Sequence, residues 1–156
     1  MTFEKIYQDH WQKVFRLCMG YVNDSDWAKD IAQETFITVW QQLPKFRNES
    51  SVGTWIFKIA SNHCLRQIEK QKRMPQAELP MQLEAKAEVS NEDRINFLYK
   101  CISELNEVER IIISLELEDV KQAEIAEIVG ISEANVRVKI HRIKEKLSEK
   151  FKQYER

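Results

Sequence analysis

Apolar residues recur every three or four positions along most of the chain, a spacing that predicts helices. One stripe runs from Phe3 to Tyr21 and is broken by the polar residues Asn23–Ser25, which offer a cap for the next helix. A second runs from Ala28 to Trp40 and stops before Pro44. A polar loop, Arg47–Gly53, then precedes a helix predicted from about Thr54 to Lys72. The second stripe is expected to bury its small and apolar side chains, namely Ala28, Ile31, Ala32, Thr35, Phe36, Val39 and Trp40.

The pattern is interrupted once, between Met74 and Glu92, where two prolines occur and aromatic residues do not. Apolar spacing resumes at Ile95, Leu98, Tyr99, Ile102 and Leu105, continues through Val108, Ile111, Ile112 and Leu115, and ends in a unit from Gln122 to about Lys152. The chain is therefore predicted to be all-α, with two small helical modules, residues 1–73 and 93–156, joined by a flexible linker at 74–92.

Composition supports a helical fold, because the 156 residues include only three glycines and three prolines. The net charge of −1 hides four blocks: +3 over 1–73, −3 over 74–92, −6 over 93–134 and +5 over 135–152. The positive blocks predict nucleic-acid binding more strongly than the net charge argues against it. They also predict a closed resting state, in which the acidic surface of the second module shields the basic faces.

Several other classes of function find no support in the sequence. Cys18, Cys64 and Cys101 are far apart and are interpreted as reduced, buried thiols of a cytoplasmic protein. The cysteines and histidines have no metal-ligand spacing, and no cofactor is expected. A phosphate loop, a nucleophile–base pair, a signal peptide and a membrane span are all lacking, which argues against an enzyme, a small-molecule substrate and membrane insertion.

The last unit has the spacing of a helix-turn-helix. Ala126 is small enough for two helices to touch, Gly130 allows a turn with positive φ, and Val136 seats the second helix. Ser132 is placed to cap that helix. The pattern alone also fits an ordinary helical hairpin. The concentration of basic residues in the second helix favours DNA binding: Arg137, Lys139, Arg142, Lys144, Lys146, Lys150 and Lys152.

If the second helix reads DNA, helical geometry divides its residues into two groups. Ala134, Arg137, Val138 and His141 lie away from the predicted buried face and are expected to meet base edges, Arg137 preferring guanine and the apolar pair thymine methyl groups. Phosphate contacts are expected from Asn135, Lys139, Arg142 and Lys144. The alternative is that every cation contacts phosphate and that the sequence is read through DNA shape.

Two further stretches, with the helix-turn-helix, resemble the extracytoplasmic-function (ECF) sigma factors. The first is Asp30–Ile37 followed by Trp40, and the second is Thr54–Asn62. The stretch from Gly130 to Leu147 matches the part of that family that reads the upstream promoter element. The chain departs from the family in having Asn106 after Leu105, where Pro is usual, and Asn135, where Thr is commoner. The second difference bears on which promoter bases are preferred.

The resemblance implies a protein that binds core RNA polymerase and promoter DNA, with an anti-sigma factor as a possible further partner. It assigns polymerase binding to Asp30, Ile31, Gln33, Glu34, Phe36, Ile37 and Trp40. It assigns the downstream promoter element to Arg47, Asn48, Ser51, Trp55, Lys58, Asn62, Arg66 and Lys70. It assigns the upstream element to Ser132, Glu133, Ala134, Asn135, Arg137, Val138, Lys139, His141, Arg142 and Lys144.

The residues themselves leave simpler interpretations open. The helix at 30–40 also fits a plain amphipathic helix. Trp55 and Phe57 also fit core aromatic residues rather than residues that stack on an unpaired base. The competing function is a conventional helix-turn-helix regulator, which binds an operator without polymerase, usually as a dimer. Tight, specific duplex binding by the chain alone would favour that regulator.

Overall fold

The computed structural model describes residues 2–73 and 91–155, with side chains described for 2–67 and 92–155. Within these ranges it contains seven α-helices and no strand, which confirms the all-α prediction. The predicted linker lies almost wholly outside the described residues. The helices are α1 (Phe3–Val22), α2 (Ser25–Gln42), α3 (Val52–Arg73), α4 (Asn91–Ser103), α5 (Glu107–Leu117), α6 (Gln122–Val129) and α7 (Glu133–Tyr154), and a 3₁₀ turn, Leu43–Lys45, follows α2.

Helices α1, α2 and α3 pack on one another and form the N-terminal module. The break predicted after the first stripe is a tight corner. Asn23 takes a left-handed conformation with φ 50°, and its N–H donates to the Met19 carbonyl at 2.9 Å. Asp24 then caps α2, because its side chain accepts a hydrogen bond from the Trp27 N–H at 3.0 Å.

Helices α4 to α7 form the C-terminal module, and α6 and α7 are the predicted helix-turn-helix. Gly130 ends α6 with φ 76°, and its N–H donates to the Ala126 carbonyl at 2.8 Å. Ser132 caps α7 by accepting from the Asn135 N–H at 3.1 Å. The side chains predicted to seat α7 are all buried: Val136, Ile140, Ile143 and Leu147.

The two modules pack together, α1 against α4 and α5, and α3 against α6. Arg16 and Glu118 form an ion pair across this interface. The acidic residues of the C-terminal module were expected to shield basic faces of the chain. Glu118 pairs with Arg16 of the other module, whereas other acidic residues pair with lysines of α7 in the same module. These pairs are Glu104–Lys150, Glu109–Lys146 and Glu116–Lys144.

The helices were predicted more accurately than the burial of the side chains at the margins of each apolar stripe. Trp40 was expected to be buried but is 62% exposed, and Ile95 and Val108, which belong to the apolar spacing of their helices, are 52% and 40% exposed. Each lies at the margin of its stripe, where a small rotation of the helix decides burial. Conversely, Gly20 and Ser114 are buried because each faces the other module, which an analysis of one helix at a time does not detect.

The turn geometry at Gly130 predicts that Gly130→Ala destabilises the C-terminal module by about 1–2 kcal/mol, the usual cost of left-handed backbone for a residue with a Cβ. The cause is the backbone alone, since an added Cβ would meet nothing within 4 Å. The matched control is Gly53→Ala, in α3, where an added Cβ makes an ordinary contact with His10 at 3.5 Å. Denaturant unfolding should show a loss for the first variant and little change or a gain for the second; equal losses would contradict the assignment.

Candidate polymerase and nucleic-acid interfaces

The exposed edge of α2 combines polar side chains with two large apolar ones. Ile37 and Trp40, one turn apart, are 57% and 62% exposed, and the side chains of Asp30, Gln33 and Glu34 lie exposed along the preceding turns. An apolar centre beside polar and acidic groups is the composition of a protein-binding surface. We call these five residues the α2 edge.

Two of the residues assigned to polymerase binding are not on this surface. Ile31 and Phe36 are 1% and 3% exposed, so they cannot contact a partner directly. They anchor α2 in the core instead, and the correction follows from the helical period, which turns both side chains inward.

Aromatic side chains of α1 pack against the buried face of α2. Tyr7 meets Phe36 edge to face, with ring centroids 5.0 Å apart, and stacks on Trp11 at 5.3 Å. Tyr7 is itself partly exposed and was not among the predicted site residues. The apolar pattern of the first stripe could not indicate that part of the Tyr7 ring would stay exposed beside α2.

Hydrogen bonds join Glu34 and Thr38 of α2 to His63 and Gln67 of α3, and we call these four residues the polar brace. The His63 Nε2 lies 3.0 Å from the Thr38 hydroxyl, which itself donates to the Glu34 carbonyl. Gln67 donates to the Glu34 carboxylate and accepts from the Trp27 indole, both at 3.4 Å. Burial lowers the pKa of His63, and the charge of Arg66 lowers it further, whereas Glu34 acts in the opposite direction. This brace holds the α2 edge against α3.

The loop between α2 and α3 is shorter than predicted, because Val52 and Gly53 already belong to α3. Ser51 starts that helix: its hydroxyl accepts from the Thr54 N–H at 3.1 Å and donates to the Thr54 hydroxyl at 2.8 Å. Its hydroxyl is therefore used in capping. Asn48 is exposed, with φ 57°, and Arg47 is exposed beside it.

A groove of about 750 Å³ connects this loop with the α2 edge. Asn48 and Trp40 both line it, and its apolar walls are Phe3, Leu43, Pro44 and Phe46. Phe46 packs on Trp55, with ring centroids 4.6 Å apart, and Trp55 is half-buried. The position of Trp55 therefore fits a core aromatic residue better than one that stacks on an unpaired base. Phe46 was not among the predicted site residues.

The polar residues assigned to α3 form one stripe at steps of four. Lys58, Asn62 and Arg66 are exposed on the same face. Lys70 continues this register in the helix, but its side chain lies outside the described ones. The stripe lies on the opposite side of α3 from Ile56, Ala60 and Cys64, which are completely buried.

On α7 the side chains predicted to read bases lie together on the exposed face. Ala134, Arg137, Val138 and His141 are exposed at steps of three and four. Asn135 and Arg142 are exposed beside them, and Lys139 is half-buried. Ser132 and Glu133, at the start of the helix, are exposed too, although the Ser132 hydroxyl is used as the cap.

Part of the basic character of α7 serves packing between helices. Lys144 lies 3.0 Å from Glu116, Lys146 lies 3.9 Å from Glu109, and Lys150 pairs with Glu104. The first two carboxylates are largely covered, with 19% and 15% of their side-chain surface exposed. Three of the seven basic residues that raised the expectation of DNA binding are therefore paired within the module, and one of them, Lys144, is among the residues assigned to the upstream element.

Comparison with known proteins identifies the family. The model of Sigma-70 region 2 matches residues 6–74, and that of Sigma-70 region 4 matches residues 98–147. The ECF RNA polymerase sigma-E factor of Escherichia coli (strain K12) is 30% identical over 154 residues, covering 88% of this chain and 80% of that protein. The chain belongs to the ECF sigma factors. RNA polymerase sigma factor YlaC of Bacillus subtilis (strain 168) is 24% identical, covering 90% and 87%.

Two solved structures share the fold of this sigma factor. CnrH in complex with the cytosolic domain of CnrY is 19% identical with a TM-score of 0.73, covering 97% of this chain and 88% of that one. The sigma factor RpoE in complex with the anti-sigma factor NepR, from Bartonella quintana, is 18% identical with a TM-score of 0.76, covering 96% of both chains.

The family membership confirms the predicted function. The sigma factor binds core RNA polymerase and promoter DNA and directs transcription initiation. This finding replaces the competing interpretation, a regulator that binds an operator without polymerase. In the described part of the chain, the helices are all too short or too polar to cross a membrane.

The brace between α2 and α3 predicts a pH dependence of stability. Because the folded state lowers the pKa of His63, the unfolded chain takes up the proton first as the pH falls through the ordinary value of about 6.5. The free energy of unfolding should therefore fall as the pH decreases from about 7.5, and this contribution should level off below the folded-state pKa.

The variant His63→Gln removes the titration, so its unfolding free energy should depend less on pH over that range. Urea unfolding at several pH values measures both slopes. Carboxylates contribute equally to the two proteins, so the difference isolates His63. Parallel slopes would show that His63 has the same proton affinity in both states.

Proposed function

We propose that the α2 edge is the surface by which this sigma factor docks on core polymerase. The observation that carries the proposal is the pair Ile37 and Trp40, large apolar side chains exposed one turn apart beside Gln33 and Glu34. The covered Ile31 and Phe36 fix the helix, and the brace from His63 and Gln67 fixes its orientation. A partner that covers the edge would remove its apolar centre from water.

The downstream promoter element is assigned to the loop at Arg47 and Asn48 and to the stripe Lys58, Asn62 and Arg66. The groove is lined mainly by apolar side chains together with the polar Gln41 and Asn48, which suits a base that has left the stack. The cations of the stripe lie on one face, as neutralisation of successive phosphates requires. Ser51 and Trp55 act by shaping this site, since one caps α3 and the other packs on Phe46.

The upstream element is assigned to the exposed face of α7. Arg137 and Val138 are exposed in its first two turns, the part of a recognition helix that enters the major groove. Arg142 and Lys139 are the phosphate contacts in this proposal, and Lys144 contributes less than its charge suggests because Glu116 holds it.

Control by an anti-sigma factor and a cytoplasmic location complete the proposal, and the sigma factor contributes no catalysis of its own. Both structural neighbours were solved as complexes: RpoE with the anti-sigma factor NepR, and CnrH with the cytosolic domain of CnrY. An inhibitor that covers the α2 edge would compete with polymerase for the same apolar side chains.

The double variant Gln33→Ala, Ile37→Ala tests the polymerase surface. It should abolish co-purification with core polymerase and run-off transcription from genomic DNA, because it removes an apolar anchor and an amide from the centre of the edge. Lys29→Ala, also exposed on α2, is the matched control and should bind as the parent does. Undiminished binding of the double variant, with native helicity, would move the docking surface elsewhere.

The pair Arg137→Ala and Arg142→Ala separates base reading from phosphate contact. Arg137→Ala should cost about 1–3 kcal/mol and relax the preference at one upstream position. Arg142→Ala should weaken all promoters alike and reduce the salt slope by about one. Lys144→Ala should change the slope less, because its ammonium group already pairs with Glu116.

A promoter library transcribed with each variant at two salt concentrations measures both effects. If Arg137→Ala lowered transcription from every promoter by the same factor, the cations of α7 would serve phosphate only. Recognition through DNA shape would then be the better description.

A further inference from the structure

The N-terminal half of α7 contains one acidic side chain among several basic ones. Residues 132–144 include four lysines and arginines, and the acid is Glu133, the first residue of the helix. A carboxylate at this position opposes the approach of DNA, because the phosphate backbone carries the same sign of charge. It therefore lowers the affinity for DNA unless a hydrogen-bond donor on the DNA meets it.

The fold itself requires little from Glu133. The Ser132 hydroxyl already caps α7 by accepting from the Asn135 N–H at 3.1 Å. The negative charge is favourable near the positive end of the helix dipole, but this contribution is small for an exposed group. The carboxylates that pair with lysines of α7 from elsewhere in the module are those of Glu104, Glu109 and Glu116.

Glu133 and Arg137 form an ion pair within α7. Oε1 of Glu133 lies 4.0 Å from Nη2 of Arg137, and 53% of the Glu133 side chain and 65% of the Arg137 side chain are exposed. Exposed pairs at this spacing stabilise a helix only slightly, and salt screens them. The pair does place an acceptor beside a donor on the face of α7 that is open to solvent.

One G·C pair presents the complementary order of groups in the major groove. N7 and O6 of guanine accept hydrogen bonds, and the N4 amino group of cytosine donates them. Arg137 can only donate, and the exposed Ala134 and Val138 have no hydrogen-bonding side chain. Glu133 supplies the missing acceptor. Cytosine suits it better than adenine, because the adenine amino group lies between two acceptors, its own N7 and O4 of the paired thymine.

We propose that Glu133 is a specificity-determining residue for the upstream promoter element. Its carboxylate accepts a hydrogen bond from the cytosine of the same G·C pair whose guanine Arg137 contacts, an inference that rests on the proposed DNA-binding role of α7. At the matching pair the cytosine amino group compensates for the carboxylate, whereas at other pairs the negative charge stays opposed to the DNA. Glu133 therefore lowers the affinity for other sequences more than for the promoter, and specificity is this difference.

Glu133→Gln and Glu133→Asp separate base reading from a role at the helix terminus. Glutamine keeps the shape, removes the charge and also suits adenine. Aspartate keeps the charge near the helix terminus, but it is one methylene shorter and its carboxylate lies further from the base edge. If Glu133 served the helix terminus alone, the aspartate variant would behave as the parent does. The matched control is Glu149→Gln, which removes an exposed acid from the C-terminal half of α7.

Holoenzyme assembled from core polymerase and each variant chain is selected on a promoter library randomised across the upstream element. Both Glu133 variants should reduce the preference for G·C at one position by roughly fivefold or more. This should be the position at which Arg137→Ala acts, and Glu149→Gln should leave it unchanged.

The affinity of each full-length chain for a random-sequence DNA duplex is measured by fluorescence anisotropy at several salt concentrations. Glu133→Gln should bind more tightly than the parent at low salt, and the difference should shrink as salt screens the lost repulsion. Glu133→Asp keeps the charge and should bind as the parent does.

An unchanged preference in both Glu133 variants, or a loss in the glutamine variant alone, would overturn the reading role of Glu133. A loss at a different position from that of Arg137→Ala would overturn the shared base pair. If Arg137→Ala also left every preference unchanged, the proposed role of α7 would fail together with this inference. Helicity equal to that of the parent, measured for each variant by circular dichroism, separates these outcomes from misfolding.

Discussion

Helix α1 packs on the other two helices of its own module and also on the C-terminal module, and the arrangement of the molecule depends on this double contact. One side of α1 completes the N-terminal core with α2 and α3, while Gly20 on the other side receives Ser114 of α5. On α5 the consequence is a run of five buried residues, Ile111–Leu115, which is more than one turn of helix. A helix covered on all sides belongs to two interfaces. The contact is possible because neither helix has a large side chain at this point.

The charges of α7 are divided between stability and recognition. Lys144, Lys146 and Lys150 lie toward α4 and α5, where they meet carboxylates of the same module. Arg137 and Arg142 lie toward solvent at the beginning and middle of the helix. The basic block therefore overstates the charge offered to a nucleic acid. The difference is invisible in the sequence, because it depends on which residues of α5 face α7.

Local signals predicted the helices well, because their causes are local. The polar corner at Asn23 and the glycine at Gly130 act within one turn of chain, and both were correctly interpreted. Burial at the margins of the stripes is different, since it depends on neighbours distant in sequence. Trp40 was predicted to be buried and is exposed, whereas the close fit of Gly20 against Ser114 was not predicted. The candidate site residues came mainly from family resemblance, and their exposure came from the structure.

The packing of the modules also constrains how access to DNA and polymerase can be controlled. Ile37 and Trp40 of the α2 edge and Arg137 of α7 all stay exposed while α1 holds α5. The packing of the modules therefore leaves these three side chains uncovered. It fixes the position of one module relative to the other and places α6 against α3. A partner that binds one arrangement of the modules more tightly than another would therefore change their relative position without altering either surface.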